Sequence, residues 1–343
     1  MFRRGRTKLG FSRDKTKKLN VNVKWKHDPQ RYINTVRGLN YGFNSVKDIV
    51  AEENKFYDIG LVRLTGGIGD ILMTLWAVAA LKVKLPNSKI TYYGPSSYYG
   101  GSALELLKLF PDIVDEVMPE TEWDNARHEF WADLTGPELD FEKDAWNSPE
   151  RIDLFCQFLG VKKPIHPCPT LDPKDIEWAS EFINGHCSAP NDPVILLSPI
   201  SNSYLRTIPS MTLKALVEKL KLNGFNVITE SYYEIRENKE LQNLEAISIS
   251  KLVCLIEQVD LVFLPDSCPM HIAGIMSTPG VGWFTHVHPN TRLHYYPNIK
   301  PYFNEPKCLC QWQKPSDCDL NCMDIDLDKL MVMLKEICKE DEI

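Results

Sequence analysis

The chain has 343 residues, of which 43% are hydrophobic and 25% are charged, and its net charge is −7. These values are typical of a folded globular protein and exclude a disordered chain, a collagen or a coiled coil, while the length predicts two domains. The richest apolar run, residues 71–81, is shorter than the roughly 20 residues that a membrane-spanning helix needs. The basic N-terminus is not followed by the apolar segment of a secretory signal. We therefore expect a soluble, cytoplasmic protein.

Charge is unevenly distributed along the chain. Residues 1–27 contain ten lysines and arginines against a single acid, Asp14, so this segment carries +9 and the remaining residues carry −16. A basic arm could bind a polyanion such as DNA on its own, because Lys and Arg neutralise phosphates. The alternative is a solvated, disordered arm. The acidic remainder argues against nucleic acid wrapping the whole surface.

Strands and helices alternate after a polar segment that contains one short helix near residues 45–53. In the first half, apolar runs predict strands at 58–64, 89–93, 114–118 and 130–134, and periodic segments predict helices at 71–85, 103–110 and 149–159. Six prolines between residues 161 and 193 flank a short helix at 173–183 and indicate a crossing between domains. The second half repeats the alternation, with strands at 194–197, 226–229, 261–264 and 281–284 and helices at 210–222, 250–258, 269–276 and 326–339.

This order predicts an α/β protein with parallel sheets whose faces are covered by helices. Two similar halves joined by a proline-rich crossing place the functional site in the cleft between them. We divide the chain into four parts: a basic N-terminal extension (1–55), two Rossmann-like domains (56–185 and 190–305), and a cysteine cluster with the last helix (306–343).

Gly66, Gly67 and Gly69 form a turn between the first strand and the first helix. Glycines allow close backbone approach, and a helix N-terminus attracts phosphate or a sugar oxygen. The spacing fits neither the dinucleotide fingerprint, since Leu72 stands where a third glycine is needed, nor a P-loop, since no Lys-Ser/Thr pair follows. Asp70, at the end of this turn, is either a helix N-cap or a catalytic carboxylate.

A second motif follows the strand at 261–264. Asp266 and Ser267 lie at the carboxyl end of this strand, and His271 lies about one turn into the helix that Pro269 opens. This arrangement suits a diphosphate at the helix N-terminus, with hydroxyl and imidazole groups as donors. The alternatives are a capping Asp and a core His.

A third motif follows the strand at 194–197. Ser201 and Asn202 supply hydroxyl and amide donors, and Arg206 adds a cation. Together they could clamp an anion, whereas the alternative is an ordinary polar loop.

Ten cysteines in a long chain without a secretory signal are expected to be reduced thiols. Four of them lie close together in the sequence: Cys308, Cys310, Cys318 and Cys322. Their C-x-C-x7-C-x3-C spacing could bind Zn²⁺ or iron in a structural site, and buried thiols or disulfides are the alternatives. Three histidines also cluster after the last strand: His286, His288 and His294. No carboxylate pattern accompanies them, so ligand contacts or simple exposure are favoured over a metal site.

The three motifs together resemble the ADP-heptose:lipopolysaccharide heptosyltransferase family, glycosyltransferase family 9, over about residues 58–338. VRLTGGIGDILMTLWAVAAL is similar to the family's opening strand, G-D turn and apolar helix, and LLSPISNSYLRTIP is similar to the start of its second half. The most specific match is DSCPMHIAGIMSTPGVGWF, which carries D-[ST]-[GA]-x-x-H-x-A and the following T-P-x-x-x-x-F strand nearly whole. The resemblance implies the GT-B fold, with an acceptor domain at 56–185 facing a nucleotide-sugar domain at 190–305 across a cleft.

The resemblance also implies a role for each motif residue. Asp70, on the turn of Gly66, Gly67 and Gly69, would be the general base that deprotonates the acceptor hydroxyl. The donor-binding residues would be Ser201, Asn202 and Arg206 at the phosphates, Glu230 near the ribose or base, Asp266 at the sugar, and Ser267 and His271 at the diphosphate. Cys268 stands where the family usually has Gly or Ala, and Arg206 stands where Lys is common, and both differences bear on the identity of the donor sugar.

The family implies an inverting, metal-independent transfer of a heptose-like sugar from a nucleotide-diphospho-sugar such as ADP-heptose. The acceptor would be a saccharide such as lipopolysaccharide core, and the chemistry would need no cofactor. An alternative is the same chemistry on a DNA base (hydroxymethylpyrimidine) or a protein side chain, and the +9 arm is the sequence feature that favours DNA. A non-catalytic nucleic-acid-binding protein is disfavoured by the presence of Asp70, Asp266 and His271, and a nicotinamide dehydrogenase by the failed fingerprint.

Overall fold

The computed structural model describes residues 10–14, 17–20, 44–52, 54–64, 66–96, 101–135, 149–187, 189–201, 203–230, 242–244, 247–306 and 320–340. Within the basic arm, β1 (Gly10–Asp14) and β2 (Lys17–Asn20) pair as an antiparallel hairpin. The sequence left open whether the arm is ordered and did not predict this hairpin. In the part of the chain that is described, no helix has the length and apolarity needed to cross a membrane.

The N-terminal half contains a four-stranded parallel sheet with the order β5-β4-β3-β6. Its strands are β3 (Tyr57–Val62), β4 (Ser88–Gly94), β5 (Glu116–Pro119) and β6 (Phe130–Asp133). The helices of this half are α1 (Ile68–Lys84), α2 (Ser102–Leu107) and α3 (Arg151–Phe158). Parallel pairing confirms the predicted βα order, because parallel neighbours need a crossover connection.

The C-terminal half contains a six-stranded parallel sheet with the order β12-β11-β10-β7-β8-β9. Its strands are β7 (Val194–Leu197), β8 (Asn226–Glu230), β9 (Gln242–Leu244), β10 (Leu261–Pro265), β11 (Gly280–Phe284) and β12 (Ile299–Phe303). The helices here are α4 (Pro173–His186), α5 (Ser210–Leu222), α6 (Ile249–Gln258), α7 (Cys268–Met276) and α8 (Leu327–Glu340).

Helix α1 joins the two halves. It is buried at every position from Ile71 to Leu81, as expected of a helix that is apolar on most sides. It packs against α3 and also against α7 of the C-terminal half. One hydrophobic cluster therefore runs through both halves, from Ile59 and Leu61 of β3 to Leu264 of β10.

A second hydrophobic cluster covers the opposite face of the C-terminal sheet. Leu213 and Leu216 of α5 and Leu330 and Leu334 of α8 pack there against the sheet, and each is fully buried. Both faces of the larger sheet are thus covered, which is the usual arrangement for parallel strands.

The short helix predicted in the proline-rich crossing is α4, which extends three residues further than predicted. It packs against α6 of the C-terminal half, where Oγ of Ser180 lies 2.6 Å from Oε1 of Gln258 and Nε2 of Gln258 donates to the carbonyl of Ile176 at 2.9 Å. Helix α4 is accordingly described with the C-terminal half, while the division of the chain near residue 185 stays a prediction.

Candidate active site

The glycine turn connects β3 to α1 and brings Asp70 to the start of the helix. Gly66 has a φ of 111°, in the left-handed region, and a Cβ there would lie 2.4 Å from Nη2 of Arg63. Gly67, not Asp70, is the N-cap of α1. Asp70 is the third helical residue, and its Oδ2 accepts a hydrogen bond from the N–H of Gly67 at 2.7 Å. The carboxylate thus still satisfies an N–H group at the helix N-terminus.

Arg63 lies beneath the turn, and no sequence motif singled it out. It follows β3 directly and is fully buried. Nη1 donates to the carbonyl of Leu134 at 2.8 Å, and Nη2 lies 3.5 Å from Oδ2 of Asp70. The guanidinium carbon is 5.7 Å from the centre of the Phe155 ring. An arginine at the end of a buried apolar strand is the signal that could have identified it, because a buried charge needs partners.

The carboxylate of Asp70 is ionised and reachable from outside. Burial raises its pKa, but the charges of Arg63, Arg151 and Arg292 and the N–H of Gly67 outweigh burial and hold the pKa below its usual range. The side chain keeps 29% of its surface exposed, and the two contacts just described both fall on Oδ2. The geometry therefore supports an ionised carboxylate that can accept a hydrogen bond or a proton from a ligand.

The two halves meet closely beside Asp70. A Cβ placed on Gly69 would lie 2.6 Å from Cδ2 of His271 and 3.7 Å from Cα of Cys268. Only glycine permits this approach without displacement, because real Cβ contacts are not that short. We call this contact between the start of α1 and the start of α7 the junction. It brings the first and second sequence motifs together, as the predicted cleft requires.

Asp266 lies on the C-terminal side of the junction and is surrounded by cationic and imidazole groups. Nη1 of Arg206 donates both to the backbone carbonyl of Asp266, at 2.7 Å, and to its Oδ2, at 3.2 Å. Nε of Arg292 and Nε2 of His271 each lie 3.8 Å from Oδ1. Burial raises the pKa of Asp266, but these groups and His286 outweigh it and hold the pKa well below the usual range. Asp266 is therefore an ionised, buried carboxylate.

His271 is buried and neutral at pH 7. Burial lowers its pKa to about 4, despite the nearby charge of Asp266. Nδ1 lies 3.2 Å from the hydroxyl of Tyr296. Where Tyr296 donates to Nδ1, the ring carries its proton on Nε2, the nitrogen that faces Asp266. His271 then contributes an N–H donor rather than a charge.

The other predicted donor residues, where the structure describes them, lie at or just after the ends of strands of the C-terminal sheet. Ser201 is half-buried, and its N–H donates to Oγ1 of Thr207 at 3.1 Å. Ser267 is the N-cap of α7, and its Oγ donates to the carbonyl of Pro265 at 3.2 Å. Glu230 ends β8, at the same end of the sheet as the loops that follow β7 and β10. Asn202 lies outside the described residues.

The predicted cysteine cluster is described only in part. Cys322 is buried in the short turn Asn321–Met323 that precedes α8. Cys308, Cys310 and Cys318 lie outside the described residues.

The three clustered histidines occupy different environments. His286 is buried, which lowers its pKa to about 4, and Nδ1 lies 3.0 Å from Oγ1 of Thr285. His288 caps the short turn Pro289–Thr291, and His294 is exposed beside the Tyr295 ring. In the ranges that the structure describes, no three His, Cys, Asp or Glu residues are arranged to hold a metal ion.

Four further residues of the site carried no motif signal: Arg63, Arg151, Arg292 and Tyr296. Arg151 begins α3, Arg292 follows the turn after β11, and both are buried. The charge of Arg292 acts on both halves, since it lowers the pKa of Asp70 and that of Asp266, whereas the charge of Arg151 lowers the pKa of Asp70. An arginine at an element end in an otherwise acidic chain is the weak signal that the sequence offered.

The comparisons with known proteins rest on structure. No protein-family model matches the sequence, and no curated protein matches it either. A glycosyl transferase of family 9 from Veillonella parvula has a TM-score of 0.65 at 14% identity, covering 85% of this chain and 100% of that one. The ADP-heptose lps heptosyltransferase II of E. coli has a TM-score of 0.62 at 16% identity, covering 83% and 99%. The iron-containing dodecameric glycosyltransferase TibC of enterotoxigenic E. coli has a TM-score of 0.62 at 12% identity, covering 83% and 77%.

The chain has the fold of these solved glycosyltransferases. This finding confirms the predicted GT-B architecture of two parallel α/β sheets. The glycine turn of the N-terminal half and the Asp266–His271 segment of the C-terminal half meet at the junction of this GT-B fold.

Proposed function

We propose that the chain is an inverting glycosyltransferase that moves a heptose-like sugar from a nucleotide-diphospho-sugar to an acceptor hydroxyl. The observation that carries the proposal is the position of Asp70. Its carboxylate is ionised and 29% exposed, and it lies beside the junction, across from the largely buried group of Arg206, Arg292, Asp266 and His271. A base and an anion site on facing halves are what a direct displacement between two substrates needs.

The chemistry follows from these positions. Asp70 accepts the proton of the acceptor hydroxyl as its oxygen attacks the anomeric carbon. The bond from that carbon to the diphosphate oxygen breaks, and the nucleoside diphosphate leaves with the electron pair. Its negative charge is stabilised by fixed positive groups and N–H donors, with no cofactor in the scheme.

The charges at the junction suit a diphosphate leaving group. Two aspartates, Asp70 and Asp266, are opposed by four buried or partly buried arginines, and His271 and His286 are neutral. The arginines are Arg63, Arg151, Arg206 and Arg292. Asp133 near Arg63 and Glu150 near Arg292 offset part of this positive charge. The guanidinium groups of Arg206 and Arg292, together with the N-terminus of α7, favour an anion at this place.

The substrates are proposed from the structural neighbours. One TibC structure is a complex with ADP-D-beta-D-heptose, and E. coli WaaC was solved with ADP-2-deoxy-2-fluoro heptose. These neighbours support ADP-heptose or a similar nucleotide-sugar as donor, and the E. coli lps heptosyltransferase supports a lipopolysaccharide-core saccharide as acceptor. A DNA base or a protein side chain remains the alternative acceptor, and the basic arm is the feature that favours DNA.

Asp70→Asn tests the proposal against a purely structural carboxylate. Asn keeps the size of the side chain and an oxygen that can accept from the N–H of Gly67, but it cannot take a proton at neutral pH. We expect transfer and slow donor hydrolysis per folded molecule to fall by about 10²- to 10⁴-fold. The melting temperature should also fall, because the buried guanidinium group of Arg63 loses its ion pair with Asp70. The measurement is turnover of a panel of nucleotide-diphospho-sugars that includes ADP-heptose.

Asp172→Asn is the matched control, because Asp172 caps α4 through the N–H of Lys174, and α4 packs against α6. The control should transfer sugar at the normal rate. Wild-type turnover by Asp70→Asn would show that the carboxylate serves only the helix and the Arg63 charge. Failure of every nucleotide-sugar in the panel to turn over with the unmodified protein would reject the transferase itself.

A further inference from the structure

A thiol–imidazole pair lies in the proline-rich crossing, and none of the three motifs includes it. Sγ of Cys168 is 3.7 Å from Nδ1 of His166, which is within hydrogen-bond distance for sulfur. Both residues lie at the surface, and Cys168 is the exposed one among the seven cysteines that the structure describes. A small molecule from solution can therefore reach the sulfur.

The imidazole ring is held in place by both halves of the chain. Its centroid lies 4.9 Å from that of the Trp76 ring in α1, at an interplanar angle of 80°, and the carbonyl of Ile275 in α7 accepts a hydrogen bond from the imidazole. Because Nδ1 faces the thiol, the nitrogen that remains for the carbonyl is Nε2. The neutral ring then carries its proton on Nε2 and presents a lone pair on Nδ1 to the sulfur.

The backbone that carries the pair is also fixed. Prolines occupy positions 167 and 169, on either side of Cys168, and each locks its own φ angle. The N–H groups of Ile165 and Thr170 donate to backbone carbonyls of the N-terminal half at 3.2 and 2.6 Å. The segment is thus anchored on both sides of the pair, and the two side chains are assembled before any reagent arrives.

The protonation state of His166 suits a general base. Partial burial lowers the pKa of His166, and the hydrogen bond to the Ile275 carbonyl offsets this only in part. The imidazole is therefore neutral at pH 7 and can accept the proton of the thiol. A nucleophile beside a base that a third group orients is the arrangement found at activated cysteines.

Other described cysteines lie in surroundings that suppress their reaction. Burial raises the pKa of Cys156 to about 12 and that of Cys254 to about 11, and it also raises the pKa of the half-buried Cys187. A thiol with a raised pKa forms little of the reactive thiolate at neutral pH. Cys168 instead combines exposure with a neighbouring base.

We propose that Cys168 is a modification site that reacts with low-molecular-weight disulfides, and that His166 is its base. The proton of the thiol moves to Nδ1 of His166 as Sγ attacks one sulfur of the disulfide. A new S–S bond forms to Cys168, the S–S bond of the reagent breaks, and the departing thiolate leaves with the electron pair and then takes up the proton. Cys168 is oxidised to a mixed disulfide, and half of the reagent is reduced to a free thiol. This reaction goes beyond the proposed sugar transfer and does not depend on it.

Oxidised glutathione is the probe, added to the full chain, and peptide mapping by mass spectrometry gives the rate of adduct formation at each cysteine. At pH 7 we expect the adduct to form at Cys168 about tenfold faster than at Cys187, or more. His166→Gln should slow the reaction of Cys168 by about 10- to 30-fold, because an unassisted thiol is only a few per cent ionised at this pH. Gln can still donate to the Ile275 carbonyl but cannot take a proton. His294→Gln is the matched control, since it removes another exposed histidine, and its rate at Cys168 should stay within about twofold.

The pH profile separates a base from a merely structural histidine. The rate at Cys168 in the unmodified chain should change little across the neutral range, because His166 is already unprotonated there. In His166→Gln the rate should rise about tenfold per pH unit up to about pH 8.5, where an ordinary thiol ionises. A structural histidine would leave the same slope in both forms.

A rate at Cys168 no greater than that at Cys187 would overturn the modification site. An unchanged rate and an unchanged pH slope in His166→Gln would remove His166 as the base. If the melting temperature shows that His166→Gln has not folded, the pH profile of the unmodified chain decides, since a tenfold rise per pH unit there would contradict an assisting base. Sugar transfer plays no part in these measurements, so the modification site and the transferase can fail separately.

Discussion

Charge at single residues is set by burial and by partners placed far away in the sequence. Asp70 is kept ionised by Arg63, which precedes the turn, and by Arg151 and Arg292, which come from α3 and from the loop after β11. The same carboxylate receives the N–H of Gly67. Helix capping and a candidate catalytic role therefore coexist in one side chain, and the two sequence interpretations of Asp70 are not exclusive.

Glu150 shows the opposite shift. It is the N-cap of α3, and its Oε2 accepts from the N–H groups of Ile152 and Asp153 at 2.6 and 3.2 Å. Burial raises the pKa of Glu150 to about 7, and these two N–H groups offset the burial only in part. The carboxyl group thus gains protons on folding between its unfolded pKa near 4.5 and its folded pKa near 7.

This shift predicts how Glu150→Gln changes stability with pH. Because the folded pKa is raised, the stability contribution is present at pH 4.5 and is lost as the pH rises through 7. Gln cannot ionise, so the variant does not lose this stability at high pH. The free energy of unfolding of the variant, taken as its difference from the wild type, should therefore rise by up to about 3 kcal/mol between pH 5 and pH 8. Denaturant unfolding at the two pH values measures it, with the exposed Glu177→Gln as control. A variant whose stability follows the wild-type pH dependence would contradict the shift.

At the scale of elements, the junction depends on the absence of one side chain. Gly69 lets the first turn of α1 rest against His271 of α7. Another glycine, Gly274, similarly accommodates the Tyr296 ring, since a Cβ there would lie 2.3 Å from a ring carbon. The glycines thus set the spacing between helices, and the spacing in turn positions His271 and Tyr296.

Gly69→Ala should push the two helix starts apart. We expect a loss of stability of about 1–3 kcal/mol, typical of overpacking a close contact, and a fall in transfer rate larger than the fall in the fraction folded. Gly185→Ala is the control, because Gly185 lies in α4 with nothing within 4 Å of its Cβ position, and alanine there should be neutral or stabilising. Denaturant unfolding and turnover at equal folded concentration measure both effects. Normal turnover in Gly69→Ala would mean that the junction spacing is not needed for transfer.

Elements with a clear local pattern could be predicted from the sequence, and the rest depended on distant contacts. The bounds of α5 and β7 are those predicted. The apolar face of an amphipathic helix is enough to define α5, and a short continuous apolar run is enough to define β7. β12 was missed, since Pro301 interrupts its apolar pattern. The proline is tolerated because β12 is an edge strand. The helix expected near 45–53 is only the short turn Val46–Asp48. Asn44 there pairs with Ala132 of β6, a long-range contact that no local pattern shows.

The same distinction applies to the site. The motif residues Asp70, Asp266 and His271 could be found because each follows a strand, where α/β folds place their ligands. Arg63 and Arg292 were missed because their role depends on carboxylates that approach only after folding. Residue types alone therefore predicted members of the candidate site, while its charge balance required the structure.

At the scale of the whole molecule, the four cysteines before α8 are predicted to be either a structural metal site or thiols and disulfides without a metal. Buried Cys322 precedes α8, which closes the second hydrophobic cluster. If the four-thiolate site forms, purified protein should carry about one zinc or iron per chain. Chelation should then lower the melting temperature, while the transfer rate per folded molecule should change little. Elemental analysis of the wild type and of Cys322→Ser measures this, with the exposed Cys168→Ser as control. A metal-free, fully active wild type with titratable thiols in this segment would reject the site.

Deletion of the basic arm distinguishes a DNA acceptor from a saccharide acceptor. β1 and β2 pair with each other, and among the described strands they belong to neither of the larger sheets. Deleting residues 1–27 should therefore leave the free energy of unfolding of the remaining chain within about 0.5 kcal/mol of the full-length value.

If the acceptor is DNA, the deletion removes the +9 segment, so duplex binding should weaken and its dependence on salt should flatten, because fewer counterions are released. If the acceptor is a saccharide, transfer to that saccharide should be unchanged. Duplex titrations at several salt concentrations, with and without the arm, measure the first outcome, and saccharide turnover measures the second. Equal duplex affinity and equal salt dependence in both forms would exclude the arm as a DNA contact. The sequence feature that favours a DNA acceptor over a saccharide would then no longer support DNA.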